Sequence, residues 1–352
     1  MLKIKRRFRQ ELLSAAPTEL AELLGGPTLF HLDGLRQPGL FISVLMHGNE
    51  TTGFEAIKKV LAKYEPAGGE RPLPRNLSLF IGNVEAAAKG MRHLDGQPDF
   101  NRIWPSIDAP DTPERRMMVQ IVEEMRQKGV FISLDFHNNT GLNPHYACIN
   151  RLDHEFLQLA TLFSRTATYF RVPRGVQSLT FSEFCTSATI ECGPIGQESG
   201  IQHAADFMDA CLHLSHLPDH QVVAHDLDLF RTIARVTLLL EVSFSFDGSE
   251  ADLMFAPQID HLNFTELPEG KAIGRLREGV DMPLRAVSES GQDVTSEYFR
   301  VFDQVLYTHR KVMPSMLTMD RQVIRQDCFC YLMERLALPT EAVWKMREQA
   351  AQ

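Results

Sequence analysis

Three short apolar runs near the start of the chain constrain its fold more than any other feature. They are Gly39–Met46 (GLFISVLM), Leu77–Val84 (LSLFIGNV) and Val130–Phe136 (VFISLDF). Runs of this length that are apolar at successive positions are typical of strands buried on both faces. The sequence therefore predicts a largely parallel sheet, which needs helices to cover it on both sides.

Helical patterns lie between and after these runs. In Thr51–Tyr64 apolar residues recur at three- and four-residue spacing, which indicates an amphipathic helix. Thr112–Gly129 begins with an N-capping threonine and a proline and ends at a glycine. Further helices are predicted at Glu155–Ala167 and Ser199–Leu217, with a short strand at Ala188–Ile190 before the second. This alternation predicts an α/β fold, with helices on both faces of the sheet.

The pattern changes after about residue 225. Short β-rich segments follow, separated by Gly, Pro, Asp and Ser, and helical periodicity returns only at Thr340–Gln349. The β-rich segments are Arg235–Phe246, Lys271–Leu276, Leu284–Ala286, Phe299–Tyr307 and Gln322–Met333. We predict a larger α/β domain over residues 1–225 and a smaller β-rich C-terminal domain over residues 226–352, which closes with a terminal helix.

Charged or metal-binding side chains follow three of the predicted strands directly. His47 and Glu50 come after the first apolar run, His137 after the third, and Glu191 after the short strand that ends at residue 190. In open α/β sheets, ligands bind outside the carboxyl ends of the strands. The sequence therefore predicts two histidines and two glutamates on one edge of the sheet.

Two histidines and one carboxylate form the ligand set of hydrolytic zinc sites. His47 and Glu50 are three positions apart, so both can face one point at a strand-to-helix turn, and His137 completes the set. Glu191 would then move protons. Each residue alone has a more ordinary explanation: a surface helix pair, a hydrogen-bonded structural histidine, or an ion-pair partner. Their joint placement favours a metal site, because charges placed directly after buried strands are costly unless they are used.

Four motifs carry a family resemblance. HGNE (His47–Glu50), DFNR (Asp99–Arg102), DFHNNTG (Asp135–Gly141) and ECGP (Glu191–Pro194) resemble, in order and spacing, the succinylglutamate desuccinylase/aspartoacylase family of the zinc-carboxypeptidase superfamily. The resemblance covers roughly Gly39–Gly200 and extends weakly to the C-terminus. It implies a zinc-carboxypeptidase-like mixed sheet, with residues 1–225 as the catalytic domain.

The resemblance also implies a site and a reaction. One zinc ion would be held by His47, Glu50 and His137, with Glu191 as general base and later general acid. The reaction would be hydrolysis of an N-acyl amino acid to a carboxylate and a free amino acid. Arg92 matches a family arginine that contacts the substrate or polarises the carbonyl group that is cleaved.

Further residues match the family less closely. Asn101 and Arg102 match its substrate-binding Asn-Arg pair, and a guanidinium grips a carboxylate with two parallel hydrogen bonds. Tyr307 lies near the position of a C-terminal-domain tyrosine that contacts substrate in family members. Asp135, two positions before His137, either orients that histidine from behind or is an ordinary charge at a strand end.

One position departs from the family. Aspartoacylase-type members carry an arginine about ten residues before the catalytic glutamate, where this chain has Phe181. Either Arg171 or Arg174 takes its place, or the substrate lacks the carboxylate that this arginine binds. The substrate is therefore open among the desuccinylase, aspartoacylase and generic deacylase types.

Composition excludes several other classes of protein. The 36 Lys and Arg against 45 Asp and Glu leave a net charge of −9, which disfavours nucleic-acid binding. Six cysteines, of which only Cys328 and Cys330 are close together, are neither a disulfide scaffold nor a four-cysteine zinc module. Apolar stretches such as Val236–Leu240 fall short of the ~20 residues that span a bilayer. The basic start, Met1–Gln10, lacks the apolar run of a secretory signal.

We therefore expect a cytoplasmic enzyme that acts on a small N-acyl amino acid, with no nucleic-acid or membrane partner, whether monomeric or homo-oligomeric. Two alternatives remain open at this point. One is a carboxypeptidase-type peptidase on the same fold. The other is a non-catalytic protein that binds a metal or a small molecule.

Overall fold

The computed structural model describes residues 2–105 and 110–338. These residues form two compact units. The α/β unit comprises 2–105, 110–138, 145–229 and 336–338, and the β unit comprises 139–144 and 230–335. The domain boundary predicted between residues 225 and 226 stays a prediction, and the predicted helix at Thr340–Gln349 lies outside the described residues. No helix in the described part of the chain is long and apolar enough to cross a membrane.

A mixed sheet forms the centre of the α/β unit. Its strands are β1 (Lys3–Lys5), β2 (Thr28–Leu32), β3 (Gly39–Val44), β4 (Leu77–Ile81), β5 (Val130–His137), β6 (Tyr146–Ile149), β7 (Thr166–Tyr169) and β8 (Thr186–Glu191). They lie in the order β1-β2-β4-β3-β5-β8-β6-β7. The central strands β4, β3, β5 and β8 are mutually parallel, as the apolar runs predicted, whereas β2 and β6 run antiparallel to their neighbours β4 and β8.

Helices cover both faces of this sheet. They are α1 (Glu11–Ser14), α2 (Leu20–Leu24), α3 (Thr52–Leu61), α4 (Val84–Ala87), α5 (Pro113–Lys128), α6 (His154–Phe163), α7 (Gln177–Phe181) and α8 (Glu198–His213), with 3₁₀ turns at Pro17–Glu19 and Glu65–Ala67. The apolar side chains of α3, α6 and α8 share one core with Leu134 and Phe136 of β5. Those of α5 and α7 share a second core with Phe41 and Phe80. The predicted fold class is confirmed.

Local capping explains where several elements begin. The Thr112 side chain accepts a hydrogen bond from the Arg115 N–H at 3.1 Å, so α5 starts at Pro113 as predicted. The second predicted strand, in contrast, ends early. The chain leaves β4 after Ile81, and Asn83 caps α4 by accepting a hydrogen bond from the Ala86 N–H at 3.2 Å.

Sequence reasoning missed several short strands of the α/β unit. The helix predicted at Glu155–Ala167 ends at Phe163, because Ser164 is extended, and the chain continues into β7. Strands β2 and β6 were also missed. Runs of four or five residues carry too little periodicity to be assigned before their partners are known.

The strands of the β unit pair in two groups. They are β9 (Asp228–Leu238, which begins two residues before the unit), β10 (Phe244–Ser245), β11 (Leu253–Phe255), β12 (Ala272–Leu276), β13 (Leu284–Ser288), β14 (Phe299–Phe302), β15 (Val305–Thr308), β16 (Met313–Ser315) and β17 (Cys330–Arg335). One group has the antiparallel order β13-β9-β17-β16, and the other is a five-stranded sheet with the order β10-β11-β12-β15-β14. Phe255 stacks on Phe329 at 4.6 Å in its core. The predicted smaller C-terminal β region is confirmed.

One segment of this unit that was predicted to be β-rich begins as a helix. Gln322–Met333 begins within a helix, α10 (Arg321–Gln326), and becomes strand only at β17. The cause is the Asp320 side chain, which accepts hydrogen bonds from the N–H groups of Gln322 and Val323. Two further short helical segments in this unit are α9 (Thr295–Tyr298) and a 3₁₀ turn at Ile259–Leu262.

Candidate metal centre

The carboxyl ends of β3, β5 and β8 carry four buried polar side chains. His137 and Glu191 are the last residues of β5 and β8 and are direct register partners. His47 and Glu50 lie in the turn that connects β3 to α3. All four residues are at most 6% exposed. The arrangement arises because β3, β5 and β8 are parallel neighbours, so their carboxyl ends meet at one edge of the sheet.

The carboxylate of Glu50 lies between the two histidines. Its Oε1 is 2.8 Å from His47 Nδ1, and its Oε2 is 2.7 Å from His137 Nδ1. One potential ligand atom of each of the three residues lies within 4.8 Å of the other two. Residues 2–105 and 110–338 contain no other such group of His, Cys, Asp or Glu. Two imidazole nitrogens and one carboxylate are the donors that hydrolytic zinc uses, so these residues fit the ion that the sequence implied.

Each histidine has a second carboxylate behind it. The Nε2–H of His137 donates to Asp135 Oδ2 at 2.8 Å, and the Nε2–H of His47 donates to Asp99 Oδ1 at 3.0 Å. Such pairs fix the orientation of a ligating ring, here with Nδ1 towards Glu50. Sequence reasoning proposed this role for Asp135 but missed Asp99. The available signal was that Asp99 opens the DFNR motif, but its contact with His47 joins residues 52 positions apart.

Arg92 lies against the carboxylates of this network. Its guanidinium contacts Glu50 Oε1 at 3.5 Å and Asp99 Oδ2 at 3.2 Å, and its side chain is 10% exposed. The Gly48 N–H donates to the Arg92 carbonyl at 3.0 Å, which holds the arginine beside the turn that carries His47. A buried positive charge at this place offsets two negative ones.

The charges of the network determine its protonation. Burial alone would raise the pKa of Glu50, but the charges of His47 and His137, together with their hydrogen bonds, hold this pKa well below its ordinary range. Burial opposes ionisation of Asp99 as well, yet His47 and Arg92 keep its pKa low. For His137, Asp135 and Glu50 outweigh burial and raise the pKa well above its usual value. Glu50 is therefore ionised, which is the form that binds a cation.

Glu191 stands next to the cluster but outside it. It pairs with His137 across β5 and β8 and with Tyr146 across β8 and β6, so the three side chains point to the same face of the sheet. Burial, reinforced by the charge of Glu191, raises the pKa of the Cys148 and Cys192 thiols well above the ordinary value. Neither cysteine is therefore a thiolate nucleophile at neutral pH.

Asn101, the first residue of the predicted Asn-Arg pair, lies beside His137. Asn101 Nδ2 lies 3.2 Å from His137 Nε2, and the Asn101 N–H donates to Asp99 Oδ1 at 2.8 Å. Within the described residues, no hydrogen bond reaches the buried Asn101 Oδ1. Arg102 donates from its guanidinium to the Asn101 carbonyl at 2.9 Å.

The backbone that carries Arg174 lies next to this pair in space. The Trp104 N–H donates to the carbonyl of Gly175 at 3.0 Å. A Cβ on Gly175, which has φ +76°, would lie 2.2 Å from the carbonyl oxygen of Arg102. Glycine is thus needed for the close approach that brings Arg174 to the segment of Arg102. Two predicted residues remain. Arg171 follows β7, and Tyr307 lies in β15 of the β unit.

Phe181, at the position of the family arginine, belongs to the core. It is fully buried, stacks on Phe41 at 4.6 Å and meets Trp104 edge-on at 5.8 Å. This position therefore contributes packing rather than a cation.

The comparison with known families agrees with the motifs and the fold. Residues 36–202 match the model of the succinylglutamate desuccinylase/aspartoacylase catalytic domain. This match confirms the family that the sequence motifs suggested. Both activities named in the family's description are deacylations of N-acyl amino acids. Curated protein sequences yield no match to this chain.

Solved structures resemble the chain over most of its length. Succinylglutamate desuccinylase from Chromobacterium violaceum is 19% identical, with 86% of each chain covered and a TM-score of 0.55. Murine aminoacylase 3 is 17% identical, with 86% of this chain and 97% of the other covered and a TM-score of 0.53. A succinylglutamate desuccinylase/aspartoacylase from Rhodobacter sphaeroides is 15% identical, with 87% and 88% covered and a TM-score of 0.55. At such identities these likenesses show a shared fold.

Proposed function

We propose that this protein is a zinc-dependent deacylase that hydrolyses the amide bond of an N-acyl amino acid. The observation that carries the proposal is the position of Glu50. Its two carboxylate oxygens each face the Nδ1 atom of a buried histidine, next to a further buried carboxylate, Glu191. A metal ligand set and a separate acid/base group at one sheet edge are what metal-assisted hydrolysis requires.

His47, Glu50 and His137 would hold the ion. Zinc, when bound, lowers the pKa of a bound water to about 7 and acts as a Lewis acid towards a carbonyl oxygen. Asp99 and Asp135 keep the two rings in place through their Nε2 atoms.

Glu191 is the proposed general base and acid. As the register partner of His137, it lies beside the ligand set without contributing to it. Its carboxylate would accept the proton of the attacking water and later return it to the departing amine. Arg92, held beside Glu50, would stabilise the negative charge that develops on the carbonyl oxygen.

Polar groups for the substrate stand on the Asp99 side of the site. Asn101 has a buried amide oxygen that would accept a hydrogen bond from the substrate. Arg102 and Arg174 lie on backbone segments that contact each other at Gly175. We propose that these arginines bind an anionic group of the substrate, because Phe181 carries no charge. Tyr307 of the β unit remains a proposed substrate contact.

The test is release of free amine from a panel of N-acyl amino acids. The panel contains N-acetyl-aspartate, N-succinyl-glutamate, N-succinyl-arginine, and neutral N-acetyl and N-formyl amino acids. Zinc-loaded protein, chelator-treated protein and the variant Glu191→Ala are compared. We expect zinc-dependent release from one acidic member and none from the variant.

Other outcomes separate the alternatives. A ladder of C-terminally shortened peptides, seen by mass spectrometry, would favour a carboxypeptidase-type peptidase. Stoichiometric zinc binding without turnover of any acylated amino acid or peptide would favour a non-catalytic binding protein. Either result would contradict the proposed deacylase.

A further inference from the structure

Asn138 follows His137 directly, and its side chain has no role in the reaction described above. The residue is 5% exposed. Its Nδ2 group donates to Thr52 Oγ1 at 2.9 Å and to the Gly193 carbonyl at 2.8 Å. Its Oδ1 accepts from the Thr52 N–H at 3.2 Å. Both amide protons and the amide oxygen are thus used in a buried place, which makes the side chain rigid.

These bonds join the three segments that carry the chemistry. Thr52 is the first residue of α3, two positions after the proposed ligand Glu50. Gly193 lies two positions after the proposed base Glu191. The backbone N–H of Asn138 also donates to Glu50 Oε2 at 3.1 Å. One residue therefore contacts the ligand carboxylate, the helix that follows it and the loop that follows the base.

We propose that Asn138 is a positioning residue whose amide holds the metal-ligand turn and the base-bearing strand end at a fixed separation. The inference rests on the proposed function. Catalytic groups must be held to within about 0.5 Å of their working geometry. Pairing with β5 sets the spacing of β3 and β8 only up to their last paired residues, and the turn that carries Glu50 and the loop that carries Gly193 lie beyond them. The Asn138 amide spans that gap directly.

Three variants test the proposal. Asn138→Ala removes the whole link. Thr52→Val keeps the shape of the side chain and removes only the bond from Asn138 Nδ2 to Thr52 Oγ1. Asn150→Ala is the matched control, because Asn150 is equally buried at 5% exposure. The Asn150 amide donates to the Phe170 carbonyl at 3.1 Å, outside the three segments.

The measurements are the zinc dissociation constant by chelator competition, the melting temperature, and kcat and KM of the zinc-saturated protein. For Asn138→Ala we expect about 10- to 100-fold weaker zinc binding, the usual effect of losing a group that supports a ligand. We also expect a lower kcat at saturating zinc, with KM little changed. Thr52→Val should weaken zinc binding less and keep more of kcat, because the hydrogen bond from Asn138 to the Gly193 carbonyl survives in that variant. Asn150→Ala should lower the melting temperature alone.

The proposal is overturned if Asn138→Ala binds zinc and turns over like the wild type once loaded, with only the melting temperature reduced. If Asn138→Ala does not fold, Thr52→Val decides, and unchanged zinc affinity in that variant overturns the proposal. Zinc affinity is measured without substrate. Absence of deacylase activity in the wild type would therefore refute the proposed function and leave the metal-side measurement able to test Asn138.

Discussion

The carboxylate of Asp99 offers the sharpest test of how the candidate metal centre is held. It accepts from His47 Nε2–H at 3.0 Å, from the Asn101 N–H at 2.8 Å and from Arg92 at 3.2 Å. Asp99→Asn keeps an oxygen that can serve His47 and Asn101 but turns an amide N–H towards the Arg92 guanidinium. Asp99→Ala removes all three contacts.

Loss of a group that orients a ligand typically weakens metal binding 10- to 100-fold. We therefore expect zinc binding to be about 10-fold weaker in Asp99→Asn and about 100-fold weaker in Asp99→Ala. These losses correspond to about 1.4 and 2.8 kcal/mol of zinc binding free energy. Zinc dissociation constants measured by chelator competition at neutral pH would show the difference, with circular dichroism to verify the fold.

Asp111→Asn is the matched control. Asp111 lies in the same unit, is exposed and pairs only with the exposed Arg116 among the contacts described, so its change should leave zinc affinity unaltered. Equal zinc affinity in wild type, Asp99→Asn and Asp99→Ala, all folded, would refute the role of Asp99.

Three further predictions follow from the α/β unit. Glu191→Gln should keep stoichiometric zinc but lower kcat by at least the factor of about 10² to 10⁴ that general acid–base catalysis contributes; substantial remaining turnover in a steady-state assay would show that another group is the base. Phe181→Ala should lower the free energy of unfolding in urea by about 3–5 kcal/mol, because it empties a fully buried aromatic position; a negligible change would place Phe181 outside the core. Burial, which outweighs Glu124, lowers the pKa of His31 below its ordinary 6.5. As pH falls, His31 is therefore protonated in the unfolded chain before it is protonated in the folded one. The stability that depends on neutral His31 is present above about pH 6.5 and is lost as pH falls below it. The free energy of unfolding, measured in urea at mildly alkaline and mildly acidic pH, should depend less steeply on pH in His31→Gln, and an unchanged dependence would contradict this reasoning.

The elements that were predicted correctly are those whose signal is local. The apolar runs of β3 and β5 are long enough to indicate buried strands, and α5 carries its own cap and terminator in Thr112 and Gly129. The elements that were missed depend on partners distant in sequence. Strand β6 is four residues long and exists because β8 and β7 pair with it. The helical start of α10 depends on one side chain, Asp320, within a segment that otherwise resembles a strand.

The amino-acid sequence by itself determined which chemical groups stand at the strand ends. Buried strands are mostly apolar, so the charged or metal-binding residues at or just beyond their carboxyl ends, His47, His137 and Glu191, are visible without any structure. What only the tertiary structure decided is which of these ends are neighbours. The order β3-β5-β8 places His137 beside Glu191 and turns both histidines towards Glu50. Local periodicity carries no information on strand order, because that order is set by how helices and strands far apart in the chain pack together.

The same packing decided which side chains contact the proposed ligands. Asp99 reaches His47, and Asn138 reaches Thr52 and Gly193, across stretches of chain that share no sequence pattern. Phe181 is drawn into the core by Phe41 and Trp104, because burying an aromatic ring against other rings is more favourable than exposing it. The sequence therefore specified the proposed ligands, and tertiary packing specified which side chains contact and surround them.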